Sequence, residues 1–369
     1  MIFSSLINLQ LWKRRKHLKY SAKFEQGTPY RLYRLFFLLI SLVAIHSAAM
    51  VYFEKLSLGD AFWLSITTVT TVGYGDLSAS SWQGRLFTTL CLYLFAISIL
   101  AQLAAEFVEY RIKKREDKYT GNWIWSDMKN HVLIINTPSE HSDAYLERLI
   151  GQLRATPKFE HLPLQILTQK YPNGLPQELT QYSVVHYHGA AENAKNLQAV
   201  NINTAKYIII LARDASDPLS DSLTFDILSR IQESGNSSNI IVECIADENR
   251  ERLKKAGATV VIRPIRAYPG LLVRALSTPG TEVVLEGLFT QDGNLQRIDF
   301  NFSDIKWKDL MFVFINNDFG IPLAYINDQG VHSNPSAVQV CSGTSIISMA
   351  NEGRKIPVEK IIEDLSQLP

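Results

Sequence analysis

Between two apolar stretches, each long enough to cross a bilayer, the chain carries Thr71-Val72-Gly73-Tyr74-Gly75-Asp76. No other stretch restricts the fold as much. A row of carbonyl oxygens faces one axis only if alternate residues reach left-handed φ/ψ, which Gly73 and Gly75 do at little cost. Val72 and Tyr74 then turn their side chains away from that axis, where they can pack and hold the loop open. The Thr71 hydroxyl supplies one more oxygen at one end. Irregular backbone of this kind is tolerated at membrane depth only where protein or a water-filled path surrounds it.

Upstream, Leu58-Gly59-Asp60 leads into an apolar run over residues 61–69. That run makes about two to three helical turns. It is too short to span a bilayer and is predicted to be re-entrant, at about 59–70. Its C-terminal end carries partial negative charge and would point at a waiting cation. From Ala61 to Asp76 the sequence resembles the pore loop of potassium channels with two transmembrane helices per subunit. The resemblance implies a selectivity filter at residues 71–75 with Asp76 at its end. K⁺ would be held by oxygens of Thr71, Val72, Gly73 and Tyr74. Thr67 stands where relatives often carry a carboxylate that bonds to the residue at Asp76. Asp76 must therefore find another partner, the Trp63 indole or water.

A chain of 369 residues suggests two or three units. Its 37 Lys and Arg balance 36 Asp and Glu, so the charge total points to no nucleic-acid partner. Cys91, Cys244 and Cys341 are odd in number and widely separated, which argues against a disulfide framework and for a reducing surrounding. Residues 1–11 lack the small-residue cleavage site of a secretory signal.

Residues 1–30 hold Lys13-Arg14-Arg15-Lys16 among Leu11, Trp12, Leu18 and Tyr20, a composition suited to lipid headgroups or to a basic tail. The pore unit is expected over 31–110. Its first span lies at about 32–53 and its second at about 85–107, followed by Arg111, Lys113, Lys114 and Arg115. Basic groups at both outer ends place both termini in the cytoplasm of a multi-pass, inner-membrane protein surrounded by lipid. His46, inside the first span, is expected to be hydrogen-bonded within the bundle. Two helices and a re-entrant loop cannot enclose a pore, so a homotetramer is implied.

The family usually has a glycine midway along the second helix. Counted from Gly84-Arg85, that position is Phe95 here, with Ala96 and Ser98 nearby. Spacing of three to four residues puts Ala96, Ile99, Leu103 and Glu106 on one face, expected to line the pore, with Glu106 either ringing the inner mouth or paired with an arginine.

Residues 111–130 are expected to be a short polar connector. From 131 to 266 short apolar strands alternate with helices. Strands are predicted at 132–135, 164–167, 184–187, 207–211, 240–244 and 259–262, and helices at 145–153, 191–200, 220–232 and 249–256. Apolar strands without alternation argue for a parallel sheet with helices on both faces, a doubly wound fold. With the position after the pore and the block 249–258, this part resembles the RCK domain, the regulator of potassium conductance. The resemblance implies crossover helices at 267–289 and a small β-rich lobe at 290–369. It also implies a cytosolic ring of such domains. The expected fold class is a membrane α-helical pore unit joined to a cytosolic α/β Rossmann-like domain.

The dinucleotide loop GxGxxG should follow the first strand, but Asn136-Thr137-Pro138-Ser139-Glu140 stands there without glycine. The usual NAD mode is not expected. A nucleotide held differently in the crevice at Thr137 and Ser139 stays open. Calcium-gated relatives place carboxylates around the fifth strand. Glu243 and Asp221 match such positions, but Ile245 occupies another, so a divalent site there is short of one ligand. Asp214, Asp217 and Asp221 read as a solvated loop and helix start. His186 and His188 alternate on a strand without metal-ligand spacing, and His188 with Gly189 is expected to shape a turn. No catalytic constellation emerges, so an enzyme is not expected. The leading reading is a K⁺-selective channel gated by a ligand of the RCK part. Its rivals are a membrane-tethered nucleotide-dependent oxidoreductase and a non-conducting regulatory subunit.

Overall fold

The structure is a computed structural model that describes residues 28–236, 238–263, 267–289, 294–350 and 356–367, and the chain divides into two compact units after Ile262. Nearly all of the basic segment 1–30 lies outside the described residues.

In the first unit, α1 (Thr28–Glu54) is followed by a short helix α2 (Leu58–Val69) and by α3 (Trp82–Phe87). A π-helical stretch, Thr88–Ala96, joins α3 to α4 (Ile97–Tyr119) without a break. The stretches Tyr30–Glu54 and Trp82–Tyr119 are long and apolar enough to cross a membrane. α4 runs well into the stretch expected to be a polar connector. Residues 111–119 are rich in Lys and Arg, which are good helix formers, so leaving the apolar zone does not end the helix.

The π stretch also bears on the face expected to line the pore. Each residue of an α-helix turns the chain by about 100°, so a wider turn rotates every later side chain relative to the α count. Ala96 is fully buried, packed with Val43, Val69 and Leu92 of the same chain. Ile99 and Leu103 are half-buried on the side of α4 that also carries Glu106. Glu106 pairs with Arg31 of α1 at 3.7 Å. A spacing of three to four residues marks a packed face, and here the helix packed along α4 is its own subunit's α1.

The α/β part of this unit has six parallel strands: β1 (Val132–Ile135), β2 (Leu164–Thr168), β3 (Val184–His188), β4 (Tyr207–Ile210), β5 (Asn239–Glu243) and β6 (Val260–Ile262). Their order is β3-β2-β1-β4-β5-β6. The order reverses beside β1, which leaves a crevice at the carboxyl ends of β1 and β4. β1 and β2 are buried along their whole length, because both sheet faces are covered. Leu133, Ile135 and Leu167 enter one core, while Val132, Ile134, Leu164 and Ile166 enter the other. Helices α5 (Ser142–Ala155), α6 (Gln177–Thr180), α7 (Ala194–Ala199), α8 (Leu219–Glu233) and α9 (Arg250–Lys255) connect the strands. This is the doubly wound fold that the strand pattern predicts.

The second unit contains α10 (Ala267–Ser277) and α11 (Thr281–Phe289). Its four antiparallel strands are β7 (Asn294–Lys306), β8 (Ile321–Asn327), β9 (Gly330–Ser333) and β10 (Val340–Ala350), in the order β7-β10-β8-β9. Helices α12 (Trp307–Asn316) and α13 (Val358–Ser366) bring Trp307, Phe314 and Ile361 into its core with Phe302, Tyr325 and Ile346.

Candidate functional site

The glycine loop is positioned by α2, and α2 is fixed at both ends. At its start Ser57 caps the helix: Oγ accepts from Asp60 N at 3.2 Å and donates to Asp60 Oδ2 at 2.8 Å. Its 12 residues rise about 18 Å, short of the roughly 30 Å hydrocarbon core. Along its side, His46 of α1 bridges the unit. One ring nitrogen lies 2.7 Å from Ser65 Oγ of α2, the other 2.9 Å from Thr88 Oγ1 of the π stretch. His46 is therefore hydrogen-bonded in the bundle, as its place inside the span suggests. Nearby, Glu54 accepts from Ser80 Oγ, Ser81 N and Ser81 Oγ, and Ser81 in turn caps α3. Gly84 permits that approach, since a Cβ there would stand 2.1 Å from Glu54 Oε1.

At the end of α2 the Thr67 carbonyl accepts from Val72 N at 2.9 Å and from Gly73 N at 3.1 Å. These two bonds turn the chain out of the helix and aim the loop's amides back at it. Positive φ alternates along the loop: +60° at Thr71, +51° at Gly73 and +78° at Gly75. The sequence reading found the two glycines but missed Thr71, a β-branched residue in a region that costs it strain. Among the described residues no N–H is hydrogen-bonded to the carbonyls of residues 71–75. Asp76 has the partner that the absent pore-helix carboxylate left to be found: Trp63 Nε1 donates to its Oδ2 at 2.9 Å. The Trp63 and Tyr74 rings stack at 5.6 Å and 6°. Even so, Val72 is 53% and Tyr74 69% exposed within one chain. A cleft of about 590 Å³ opens beside the loop, lined by Thr68, Thr71, Gly73, Gly75, Thr88 and Tyr93 among others.

Several side chains at the crevice beside β1 are tied to one another. Thr137 and Thr168 share a hydrogen bond at 3.0 Å across the ends of β1 and β2. Ser139 N donates to the Arg213 carbonyl at 2.7 Å, and Lys170 Nζ donates to the Ser139 carbonyl at 2.9 Å. Arg213 forms an ion pair with Glu192 at 2.6 Å. Glu243 receives Ala212 N at 2.8 Å and the Tyr145 hydroxyl at 2.7 Å. Burial holds its carboxyl above the ordinary value, against those two donors. Burial and the Glu243 charge push the Tyr145 hydroxyl up as well.

The divalent site suggested at Asp221 and Glu243 is not assembled. Asp221 is 2% exposed. Its carboxylate receives Ile245 N at 2.7 Å, Ala246 N at 2.9 Å and Asn249 Nδ2 at 2.8 Å. Any cation there would compete with these three donors for the oxygens that must replace its water shell. Among the described residues no group of three His, Cys, Asp or Glu side chains could hold a metal. Asp214 and Asp217 cap their own loop through Ser216 and Leu219.

Comparison with known proteins places the two parts separately. Residues 35–113 match the ion channel family, and residues 127–242 match the calcium-activated potassium channel slowpoke-like RCK domain. A calcium-gated potassium channel of Thermoplasma volcanium, TvoK, is 27% identical over 233 residues, covering 62% of this chain and 63% of that protein. A probable potassium channel protein of Methanocaldococcus jannaschii is 26% identical over 240 residues, covering 61% and 62%. The chain thus spans somewhat less than two thirds of the length of these relatives. Among solved structures, GsuK bound to ADP is 21% identical with a TM-score of 0.46, covering 68% of this chain and 65% of that one. The chain is a membrane protein that joins an ion-channel pore unit of two apolar helices to a Rossmann-like RCK domain and a small antiparallel lobe.

Proposed function

We propose that the chain forms a K⁺-selective channel, a homotetramer in the inner membrane with both termini in the cytoplasm, gated by a ligand of its RCK domains. The carrying observation is the loop 71–76. Among the described residues no N–H takes up the carbonyls of 71–75, φ is positive at the alternate residues Thr71, Gly73 and Gly75, and a helix C-terminus stands behind the loop. Carbonyls left bare at membrane depth need a cation and surrounding protein, since hydrocarbon offers neither. K⁺ is the permeant ion of this reading, held by Thr71, Val72, Gly73 and Tyr74. The exposed Val72 and Tyr74 side chains support assembly from several copies, whose neighbouring helices would cover them. Both matched families are non-enzymatic, which weighs against the oxidoreductase reading.

The regulatory ligand binds where the sheet order reverses, near Thr137 and Ser139. Lys170 gives the crevice a cation that meets a carbonyl and no carboxylate among the described residues, beside Arg213 held by Glu192, which suits an anionic ligand better than a divalent cation. A ligand shifts the gate only by the difference between its affinities for the closed and open states. The test is ion flux from liposomes holding the full chain. K⁺ flux well above Na⁺ flux is expected; equal permeability overturns the reading. Nucleotides and Ca²⁺ added in turn to the RCK side then identify the ligand class.

A further inference from the structure

The last turn of α4 does not end in solvent. The Tyr119 ring lies against Gly174, where a Cβ would stand 2.5 Å from Cε1. Gly121 follows, buried and at φ +77°, on the end of β3, the edge strand of the six-stranded sheet. Its carbonyl accepts from His188 N at 2.8 Å. A Cβ at Gly121 would stand 2.5 Å from His186 Nε2 and 2.9 Å from His188 N, so only glycine fits. His186 is 2% exposed, with Nε2 donating to the Tyr171 carbonyl at 3.1 Å and the ring also facing the Thr120 carbonyl. The carbonyl partner fixes the proton on Nε2, leaving Nδ1 bare in the neutral ring. His188 Nδ1 is buried without a hydrogen-bond partner among the described residues.

We propose that this is a proton-released latch: Gly121, clasped by His186 and His188, fixes the inner end of α4 to the RCK sheet, and cytosolic acid frees it. The inference rests on the channel reading only in taking α4 as the helix that gates. A second proton on the His186 ring puts charge in a buried site. Among the described residues no carboxylate hydrogen-bonds to either imidazole. The titratable groups nearby are Tyr119 of α4 and Tyr171, whose hydroxyl is taken by Asp143 of α5 at 2.6 Å. Lys170 turns its ammonium to the Ser139 carbonyl, and Lys118 lies over the Trp125 ring at 5.0 Å. Burial holds His186 below its ordinary value; the Tyr171 and Thr120 carbonyls offset part of this, and the charge on His188 adds to it. The latched imidazole thus binds a proton less readily than a freed one. Latching is fully stable above the free value of about 6.5 and is lost progressively as pH falls below it.

Amide hydrogen exchange on the full chain in liposomes tests this, at pH 7.5 and 5.5, with rates corrected for intrinsic chemistry. In the wild type the His188 amide should exchange about tenfold faster at the lower pH, the size expected of one local opening equilibrium. H186Q keeps a donor for the Tyr171 carbonyl but takes up no proton, and should show little of that acid response. G121A should leave the amide unprotected at both pH values. Equal protection of the wild type at the two pH values overturns the latch, as does an undiminished acid response in H186Q. K⁺ flux measured alongside should change with pH in the wild type and much less in H186Q. Absence of K⁺-selective flux at either pH would sink the channel reading, while the exchange result still decides the latch.

Discussion

At the end of α2, residues 71–75 present carbonyls that no N–H of the described residues takes up, whereas at the end of β5 the Asp221 carboxylate receives three N–H donors. Both regions gather oxygen atoms that could bind a cation. The first leaves them open, because Gly73 and Gly75 turn the backbone where no ladder can form. The second closes them, because the chain after β5 folds its amides back onto Asp221. A binding site is thus recognised by oxygens left over after the fold has taken its own share, not by their number. In the pore loop the leftover is the whole row. At Asp221 little remains.

The largest effect expected from breaking this contrast is at Gly73. Its φ of +51° costs an L-residue about 1–2 kcal/mol, multiplied over each copy in an assembly. Gly73→Ala should therefore collapse the carbonyl row and abolish K⁺ selectivity, with folding of the RCK part unchanged. Liposome flux and circular dichroism measured together check both halves. Retained K⁺-over-Na⁺ selectivity would show that left-handed backbone at this position is not what opens the row.

Asp221 gives the opposite test. Asp221→Asn replaces a charged acceptor by an amide whose NH₂ faces N–H donors, and should cost about 3 kcal/mol of stability. Ca²⁺ should leave the Tm of the wild type unmoved, because a ligand stabilises only the state that binds it. A Tm that rises with Ca²⁺ in the wild type and not in the variant would reinstate a cation site.

What could be read from the chain follows the same physics. The loop was legible because glycine alternation and the short apolar helix before it are local features. The sheet was legible because strands covered on both faces, such as Val132–Ile135, lose the polar–apolar alternation. The burial of Ala96 was not legible. Ala96 is packed at the end of the π stretch, and no residue in Thr88–Ala96 announces a wider helix. The Gly121 latch was hidden for a different reason. Its partners lie 65 and 67 positions away on an edge strand, and a lone glycine after a helix reads only as a cap. Asp221 matched a ligand position by type. Which amides would occupy it depends on the path of the chain through residues 244–249.

Gln165 supplies the case between these two, and the smallest expected effect. It lies midway along β2, in register with Leu133 on one side and Val185 on the other, and is wholly buried. Neither its amide oxygen nor its amide nitrogen has a partner among the described residues. Such a group is neither offered to a ligand nor taken by the fold, and burying it costs about 1–3 kcal/mol. Its neighbours on that face, Leu133 and Leu167, belong to an apolar core that a leucine of similar volume would extend. Gln165→Leu should therefore raise the Tm by a few degrees and leave K⁺ flux untouched, which thermal unfolding followed by circular dichroism would measure. A lowered Tm would mean that an enclosed water satisfies the amide. Gln165 would then join Asp221 among the groups that the fold has already claimed.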